Sequence, residues 1–497
     1  MDFTSSACDA ACAASPAHAA RCSDLLRGMT HEIKLEHLRF CLQHNFCALL
    51  CCHLAAGSTP NARFPQMDNV TALQLAAFAG SEDASRLLID AGASLDAVDA
   101  VGTTALFTAA YKGHARVCSL LLARGADVKI HSRIGYTALH AAAQGGNVSA
   151  IEAFVRDGAV LDDAANDGQG TLLALAVQTQ HLDAVTKLLE LGALANICDL
   201  LGNTPLISAV MEDNEPIARV LLPHTDLRVF NNSGLNAFHL SARGRSCFKL
   251  LLPHFLDNVD VRSGQVRSVP GVDNNPNVGS PHNCTALMFA CFGGHHRIVR
   301  ELLANGALRN AVESDQRTPL MRSAFNGHLA CLIMVLGRPG DYKLSAAEVN
   351  ARTANGATAL YWAAYKGHRT CCAVLVAAGA DLNATCQGRT PLDLAQESHA
   401  DDAQLIALQE GGGAAAGVPP PQLCDGCGIP SSQAPGGKLR ACSACQSVAF
   451  CSTACLAQAW PGHRAACQRI KAANKEAGRI RTVEPPPSGS QGPSAPV

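Results

Sequence analysis

Apolar and polar positions along this chain recur with a period near 33 residues. Most periods open with a Thr followed two residues later by a Leu, pass through an alanine-rich stretch, and end in a Leu-Leu pair and a Gly. This pattern predicts a repeating unit of two short helices. The steps between successive anchor positions are 33, 33, 34, 33, 32, 49, 33, 40 and 32 residues. The anchors are Thr71, Thr104, Thr137, Thr171, Thr204, Asn236, Thr285, Thr318, Thr358 and Thr390.

The residue types within one period explain how it would fold. The anchor Thr can cap the first helix through its hydroxyl, and the alanines let that helix lie close to its neighbours. One period cannot cover its own apolar face, so stability comes from stacking on neighbours, with polar caps at both ends. The Gly after the Leu-Leu pair supplies the left-handed residue that ends the second helix. These glycines are Gly92, Gly125, Gly158, Gly192, Gly306 and Gly379.

One regular copy starts at Thr104-Ala105-Leu106, continues with Gly113-His114 and ends at Gly125-Ala126-Asp127. In these residues the period resembles the ankyrin repeat. The resemblance implies a mainly α fold, an ankyrin-repeat solenoid of about ten repeats over residues 67–409. Residues 31–66 match only the end of a repeat and are predicted to form a degenerate N-terminal capping repeat.

Segments outside this periodic array differ from it in composition. Residues 1–30 are rich in Ala, Ser and Cys and are predicted to be a disordered leader. A polar insertion at 262–281 is either part of a binding face or tolerated surface variation. Residues 410–423 are mostly Gly, Ala and Pro and predict a linker. Residues 468–497 predict a disordered tail, basic at first and then Pro-rich.

The overall composition narrows the class of function. The formal net charge is −2, so no general positive field favours nucleic acid as a partner. No apolar run approaches the ~20 residues needed to span a bilayer. Seven of the 23 cysteines fall in residues 424–467 and the others lie mostly on apolar helical faces, as Cys118 and Cys291 do. Buried thiols fit a reducing interior, so we expect an intracellular protein of the cytoplasm, the nucleus or both.

Residues 424–467 concentrate side chains that bind metals. Their spacing is C-x2-C, fourteen residues, C-x2-C, five residues, C-x3-C, seven residues and H-x3-C. Zinc prefers four tetrahedral thiolate or imidazole ligands, so eight donors form two closed, structural sets. A disulfide-stapled module is the alternative, but a histidine cannot join a disulfide. The donors are Cys424, Cys427, Cys442, Cys445, Cys451, Cys455, His463 and Cys467.

The order of these donors, the aromatic Phe450 before Cys451 and the run Trp460-Pro461-Gly462-His463 resemble the MYND zinc finger. The resemblance covers residues 424–467 and implies two structural zinc ions with interleaved ligands. It places Cys424, Cys427, Cys451 and Cys455 on one ion, and Cys442, Cys445, His463 and Cys467 on the other.

The same resemblance implies capture of short proline-rich peptides by this segment. The matching positions are Ser443, Leu456 and Trp460. Ser443 and Trp460 fit the family pattern, whereas Leu456 replaces a Gln and removes a side-chain hydrogen bond. Trp460 is also suited to the core of so small a domain, and both roles can coexist.

In ankyrin-like repeats the residue seven positions after the anchor lies on the concave groove. Five of these ten positions are aromatic here, in a chain with 22 aromatic residues. Aromatic side chains are favoured anchors of protein contacts, which predicts two protein-binding patches. The alternative is that the rings cover the seam between adjacent repeats. One patch is Phe78 and Tyr111, and the other is Phe292, Phe325 and Tyr365 with Tyr361 and Trp362 nearby.

Together these features predict an intracellular adaptor in which the groove and the zinc finger each recruit a protein or peptide. The alternative is a targeting or regulatory subunit of an enzyme complex, such as a ubiquitin ligase or a regulator of chromatin or transcription. Intrinsic catalysis is not expected, because the sequence contains no nucleophile elbow, phosphate-binding loop or dinucleotide fingerprint.

Overall fold

The computed structural model describes residues 13–162, 171–261, 283–337 and 343–398, with 440–441 and 449–450. The chain divides into two compact units. Among the described residues, the first unit contains 13–241 and 245–251, and the second contains 242–244, 252–261 and those from 283 onward. Within these described ranges, no helix has both the length and the apolar character required to cross a membrane.

The first unit begins with three helices, α1 (Pro16–Gly28), α2 (His31–Gln43) and α3 (Cys47–Ala55). Ser15 caps α1, and Pro16 occupies its first position, both of which are helix-start signals. Cys22 and Leu26, one turn apart, are fully buried where α1 packs against α3. The prediction of a disordered leader over residues 1–30 is therefore wrong for α1, because contact with α3 orders it. Residues 1–12 lie outside the described residues.

Helices α2 and α3 fall in the segment 31–66 that was predicted to form a degenerate capping repeat. Where they meet, His37 Nδ1 lies 2.8 Å from His53 Nε2. Burial, followed by the charges of His37 and Lys34, lowers the pKa of His53 to about 3. The His53 ring is therefore neutral at pH 7.

A short hairpin follows the capping helices. Strand β1 (Arg63–Phe64) pairs antiparallel with β2 (Val70–Thr71), with Arg63 opposite Thr71. The 3-10 turn Pro65–Met67 joins them. Since β2 ends on the first anchor, Thr71, the hairpin leads directly into the first regular helix pair.

The rest of the first unit is a series of helix pairs. First helices of successive pairs pack against one another, and second helices do the same along most of the series. The first helices are α4 (Ala72–Phe78), α6 (Ala105–Lys112), α8 (Ala138–Gln144), α10 (Leu172–Gln178), α12 (Pro205–Met211) and α14 (Ala237–Ser241). The second helices are α5 (Glu82–Asp90), α7 (Ala115–Ala123), α9 (Val148–Arg156), α11 (Leu182–Glu190), α13 (Glu215–Leu221) and α15 (Phe248–Leu251), and the 3-10 turn Leu222–His224 follows α13.

The second unit repeats the same arrangement, with a 3-10 helix at Leu252–Asn258. A short helix, α20 (Ala346–Val349), lies in the longer connection between two of its pairs, where Ser345 and Glu348 form a capping box. The first helices are α16 (Ala286–Gly293), α18 (Pro319–Phe325), α21 (Ala359–Tyr365) and α23 (Pro391–Ser398). The second helices are α17 (His296–Ala304), α19 (Leu329–Leu336) and α22 (Arg369–Ala377).

Each anchor position directly precedes a first helix in both units. The anchor side chain accepts a hydrogen bond from the backbone N–H three residues later. Thr104 Oγ1 accepts from Phe107 at 3.1 Å, and Asn236 Oδ1 accepts from His239 at 3.1 Å. Such caps stabilise a helix by about 1 kcal/mol each. The predicted capping role of the anchors is confirmed.

The glycines predicted to end the second helices also have the expected backbone. All six have φ between +85° and +93°, the left-handed region that side chains with a Cβ disfavour. The buried cysteines behave as small hydrophobes, as predicted. Burial raises the pKa of the Cys118, Cys331 and Cys371 thiols to about 12, so they stay protonated at neutral pH.

Candidate functional sites

The first candidate patch lies at the ends of two first helices in the first unit. Phe78 ends α4 and Tyr111 lies near the end of α6, and both side chains are about half exposed. Lys112 Nζ lies 4.4 Å from the centroid of the Phe78 ring and 5.8 Å from that of Tyr111. An ammonium over an aromatic face is attracted by the ring's electrons. The structure therefore brings the two predicted residues together under one lysine.

The second candidate patch has the same arrangement within the second unit. Phe292, Phe325 and Tyr365 lie at or near the ends of α16, α18 and α21. Phe292 and Tyr365 are about half exposed. Lys366 Nζ lies 4.7 Å from the Phe325 centroid and 5.5 Å from the Tyr365 centroid. Lys366 therefore covers two rings as Lys112 does in the first unit.

The second patch also contains a small concavity of about 100 Å³ that is open to solvent. Trp362 packs its indole edge-on against Phe325, with ring centroids 5.3 Å apart and planes at 71°. The Trp362 Nε1–H is buried and has no hydrogen-bond partner among the described residues. A mainly apolar hollow lined by aromatic and Arg side chains is a candidate binding site. Its lining is Phe292, Arg317, Met321, Arg322, Phe325 and Trp362.

Two arginines in this lining were missed by the sequence analysis. Arg322 Cζ lies 5.5 Å from the Phe292 centroid, and Arg317 Cζ lies 5.6 Å from the Trp362 centroid. The signal was present at Arg322, which lies four positions after its anchor. At the other nine anchors that position is uncharged. A charged side chain there, on a first helix, marks an exception to the repeat pattern.

Arg322 is fixed by a buried acidic partner. It forms an ion pair with Glu313, whose side chain is 4% exposed. The Cys284 thiol donates to the same carboxylate over 2.8 Å. Burial, reinforced by Glu313, raises the pKa of Cys284 to about 12. Because the Glu313 carboxylate holds the Arg322 side chain, the guanidinium keeps a fixed position beside the Phe292 ring.

One predicted groove residue is in the core instead. Tyr361 is 8% exposed, so little of its side chain is available to a partner. Tyr361 lies three positions after its anchor, and in most of the other units the residue at that position is also buried. Examples are Gln74, His140, Ile207, Met288 and Met321, each 2% exposed or less.

Recurring histidines join one helix pair to the pair before it. His114 Nε2 lies 3.1 Å from the Phe78 carbonyl oxygen, and His328 Nε2 lies 3.0 Å from that of Phe292. Since a carbonyl only accepts, Nε2 is the protonated ring nitrogen in both. Asn147 takes the equivalent place in another pair and donates to the Tyr111 carbonyl over 2.8 Å. These histidines therefore hold adjacent helix pairs together.

The histidines make the stability of the second unit depend on pH. Desolvation by burial is the main cause that lowers the pKa of His295 and of His328. The unfolded chain, with a pKa near 6.5, binds more protons than the folded chain below that pH. The second unit therefore has its full stability, as far as these two histidines affect it, above about pH 6.5. That stability falls as the pH drops through and below this value.

We expect His328→Asn to weaken this pH dependence, because Asn147 shows that an amide can make the same bond. The measurement is the thermal midpoint of the full chain from pH 7.5 to pH 5.5. The wild-type midpoint should fall more steeply than that of the variant. If the midpoint falls equally steeply with pH in wild type and variant, His328 does not contribute to the pH dependence.

The predicted zinc ligands and the peptide-binding positions Ser443, Leu456 and Trp460 lie outside the described residues. Next to them, strand β3 (Arg440–Ala441) pairs antiparallel with β4 (Ala449–Phe450). The strands border residues 442–448, which carry Cys442 and Cys445 in sequence. Seven thiolates and one imidazole form a donor set suited to Zn²⁺.

A family model described as "Ankyrin repeats (3 copies)" matches residues 38–132, 126–199, 187–264, 261–346 and 342–414. These matches span more than half of the chain. The chain belongs to the ankyrin-repeat family. A second family model, the MYND finger, matches residues 424–467, so this ankyrin-repeat protein carries a MYND finger towards its C-terminus.

The chain is similar to parts of several curated proteins. It is 30% identical over 222 residues to the nuclear factor NF-kappa-B p105 subunit of Gallus gallus, which covers 44% of this chain and 17% of that protein. It is 27% identical over 223 residues to transient receptor potential cation channel subfamily A member 1 of Homo sapiens. That match covers 45% of this chain and 19% of the human protein. The chain thus spans less than a fifth of the length of these curated relatives.

Among solved structures, the crystal structure of the human ASB11 ankyrin repeat domain is similar to part of the chain. It has 27% sequence identity and a TM-score of 0.40, and it covers 44% of this chain and 96% of that one.

Ankyrin repeats and MYND fingers are modules for protein–protein interaction and are typically non-catalytic, and the MYND finger binds zinc. This ankyrin-repeat protein is therefore built from interaction domains. Its similarity to the p105 subunit and to the cation channel subfamily member covers less than a fifth of each of those proteins, so it does not define a pathway.

Proposed function

We propose that this ankyrin-repeat protein is an intracellular adaptor of the cytoplasm or nucleus. The repeat groove holds one protein, and the MYND finger holds a second protein or peptide. Two modules on one chain raise the effective concentration of one partner for the other. The observation that carries the proposal is the concavity beside Trp362 in the second unit.

The lining of this concavity suits an apolar side chain next to a carboxylate. Phe292, Met321 and Phe325 supply apolar surface, and aromatic and Arg side chains are the types most often found at binding hot spots. Arg317 and Arg322 add cationic groups to the same lining. A peptide that inserts a Leu or Phe would place a neighbouring acidic group beside these arginines.

The charge at the rim favours an acidic partner. Arg317 approaches Glu313 and Asp315 only loosely, at 3.8 and 4.0 Å. Lys366 lies over Phe325 and Tyr365, and it forms no ion pair with the described acidic residues. A carboxylate on the partner can therefore pair with Lys366 without breaking an existing ion pair. We assign this site to an acidic segment with an apolar anchor.

The finger would supply the second site. We propose that Cys424, Cys427, Cys451 and Cys455 hold one zinc ion and that Cys442, Cys445, His463 and Cys467 hold the other. Closed sets of four protein ligands are structural, so the ions shape the peptide-binding surface and take no part in chemistry. Ser443, Leu456 and Trp460 are the proposed contacts for a short proline-rich peptide.

The groove can be tested with Lys366→Glu in the full-length chain. Reversing this exposed charge should weaken groove-dependent partners by roughly 5- to 30-fold, the range expected for losing one cation contact and introducing repulsion. Lys112→Glu is the matched control, because Lys112 has the same position over two rings in the first unit. The measurement is quantitative proximity labelling in cells, with the same partners then titrated against purified chain.

A finger variant, Cys442→Ser with Cys445→Ser, completes the experiment. Two separate sites predict two different sets of lost partners. If the Lys366 variant and the finger variant lose the same partners and no others, the adaptor proposal is wrong. Enzymatic activity that co-purifies with the wild-type chain would instead favour a targeting or regulatory subunit.

A further inference from the structure

Three potential metal ligands meet inside the N-terminal cap of the first unit. His37 and Cys41 lie one turn apart on α2, and His53 faces them from α3. His37 Nδ1 lies 2.8 Å from His53 Nε2 and 3.9 Å from Cys41 Sγ. The three donor atoms all lie within 4.8 Å of one another. Exposed fractions are 9% for His37, 1% for Cys41 and 0% for His53.

The outer side of His53 is held in the way that metal-binding histidines are held. Its Nδ1 lies 3.3 Å from Ser58 Oγ. A hydrogen bond at one ring nitrogen fixes the tautomer and aims the other nitrogen at the metal. Here that other nitrogen, Nε2, faces the His37 and Cys41 donors.

We propose that His37, Cys41 and His53 form a Zn²⁺ site in the N-terminal cap, separate from the MYND finger. Two imidazoles and one thiolate are donors that zinc prefers. In a tetrahedral site with zinc–nitrogen bonds of about 2.0–2.1 Å, two nitrogen ligands lie about 3.3 Å apart. The two rings therefore need to separate by only about half an ångström to admit the ion.

Binding at this site exchanges one proton for one ion. The Cys41 thiol releases its proton to solvent and binds as a thiolate, while both imidazoles bind as neutral rings. A fourth position remains for a water molecule. Because only three ligands come from the protein, we expect an ion that a chelator removes more readily than the ions of the finger.

The site would serve as a clamp at the end of the repeat array. Terminal repeats have a neighbour on one side only and need their own stabilisation. The proposed ion joins α2 to α3 by bonds from both helices, in a cap whose other contacts are mainly apolar. Zinc would therefore stabilise the array from its N-terminal end.

Zinc content tests the site in the full-length chain. After dialysis against a zinc-buffered solution, elemental analysis should find one zinc per chain fewer in Cys41→Ala than in wild type. Cys22→Ala is the matched control, because Cys22 is a buried thiol of the same cluster and is not a proposed ligand. It should keep the wild-type content. In the Co²⁺-loaded chain, Cys41→Ala should likewise reduce the thiolate-to-cobalt absorption.

A second readout does not depend on counting ions. Added zinc should slow amide hydrogen exchange in α2 and α3 by at least about tenfold in wild type and in Cys22→Ala, and should leave Cys41→Ala unchanged. Equal zinc content in wild type and Cys41→Ala, with no zinc effect on exchange, would overturn the site and leave a hydrogen-bonded histidine pair. The comparison repeated in the Cys442→Ser, Cys445→Ser chain separates this outcome from any failure of the finger assignment.

Discussion

Stripping zinc from the Cys41→Ala chain should release two ions and unfold residues 424–467 while the repeat helices stay folded. A segment of this length cannot bury a core large enough to fold unaided, so metal binding supplies its folding free energy. For structural zinc in finger peptides that free energy is about 10–16 kcal/mol at neutral pH. The repeats need no metal in their helix pairs, because their stability comes from stacked apolar faces.

A colorimetric chelator measures the released ions, and circular dichroism at the helical minimum follows the repeats. Proteolysis within residues 424–467 should become much faster after chelation. Cys198→Ser added to the same Cys41→Ala chain is the control, since Cys198 is an exposed repeat cysteine and its loss should leave the count at two. A release well below two ions from well-folded protein would contradict the two closed ligand sets.

Gly327→Ala should destabilise the second unit by about 3 kcal/mol, against about 1 kcal/mol for Gly306→Ala. Both glycines have left-handed backbones, with φ of +71° and +87°, and an alanine there costs about 1 kcal/mol. At Gly306 a Cβ would meet nothing within 4 Å. At Gly327 it would lie 2.5 Å from His368 Nδ1.

The additional loss at Gly327 has two sources. The His368 ring must move, which is overpacking worth about 1–3 kcal/mol. Moving it also breaks the 3.0 Å bond from His368 Nε2 to the Phe325 carbonyl, worth about 1 kcal/mol. Urea unfolding followed by the fluorescence of Trp362, in a Trp460→Phe background, measures both variants. Equal urea midpoints for the two variants would show that the His368 ring moves aside without loss of stability.

The local features of the repeats were predictable because short-range interactions set them. An anchor such as Thr104 caps a helix that starts at the next residue, and a glycine such as Gly125 ends one through its own backbone. Helix α1 was not predictable in the same way. Its Ala, Ser and Cys composition carries no repeat, and Cys22 and Leu26 become core residues only because α3 packs on them.

The candidate sites show the same division between local pattern and packing. Aromatic groove positions such as Phe78 and Tyr365 follow from their distance to the anchor, and both are exposed. The burial of Tyr361 could have been predicted by comparing the residues three positions after each anchor, most of which are apolar or otherwise buried. The pairing of His37 with His53 depends on the angle between two helices outside the repeat period, and no spacing rule brings them together.

The histidine hydrogen bonds show that the connection between two helix pairs can change in length. His114 and His328 each reach a carbonyl 36 residues earlier, whereas His368 reaches one 43 residues earlier with the same geometry. The seven additional residues sit in the connection that contains α20, so the lysine and the rings of the patch keep their spacing. New sequence can therefore enter between neighbouring helix pairs and diversify the connections while the exposed rings at the helix ends stay in register.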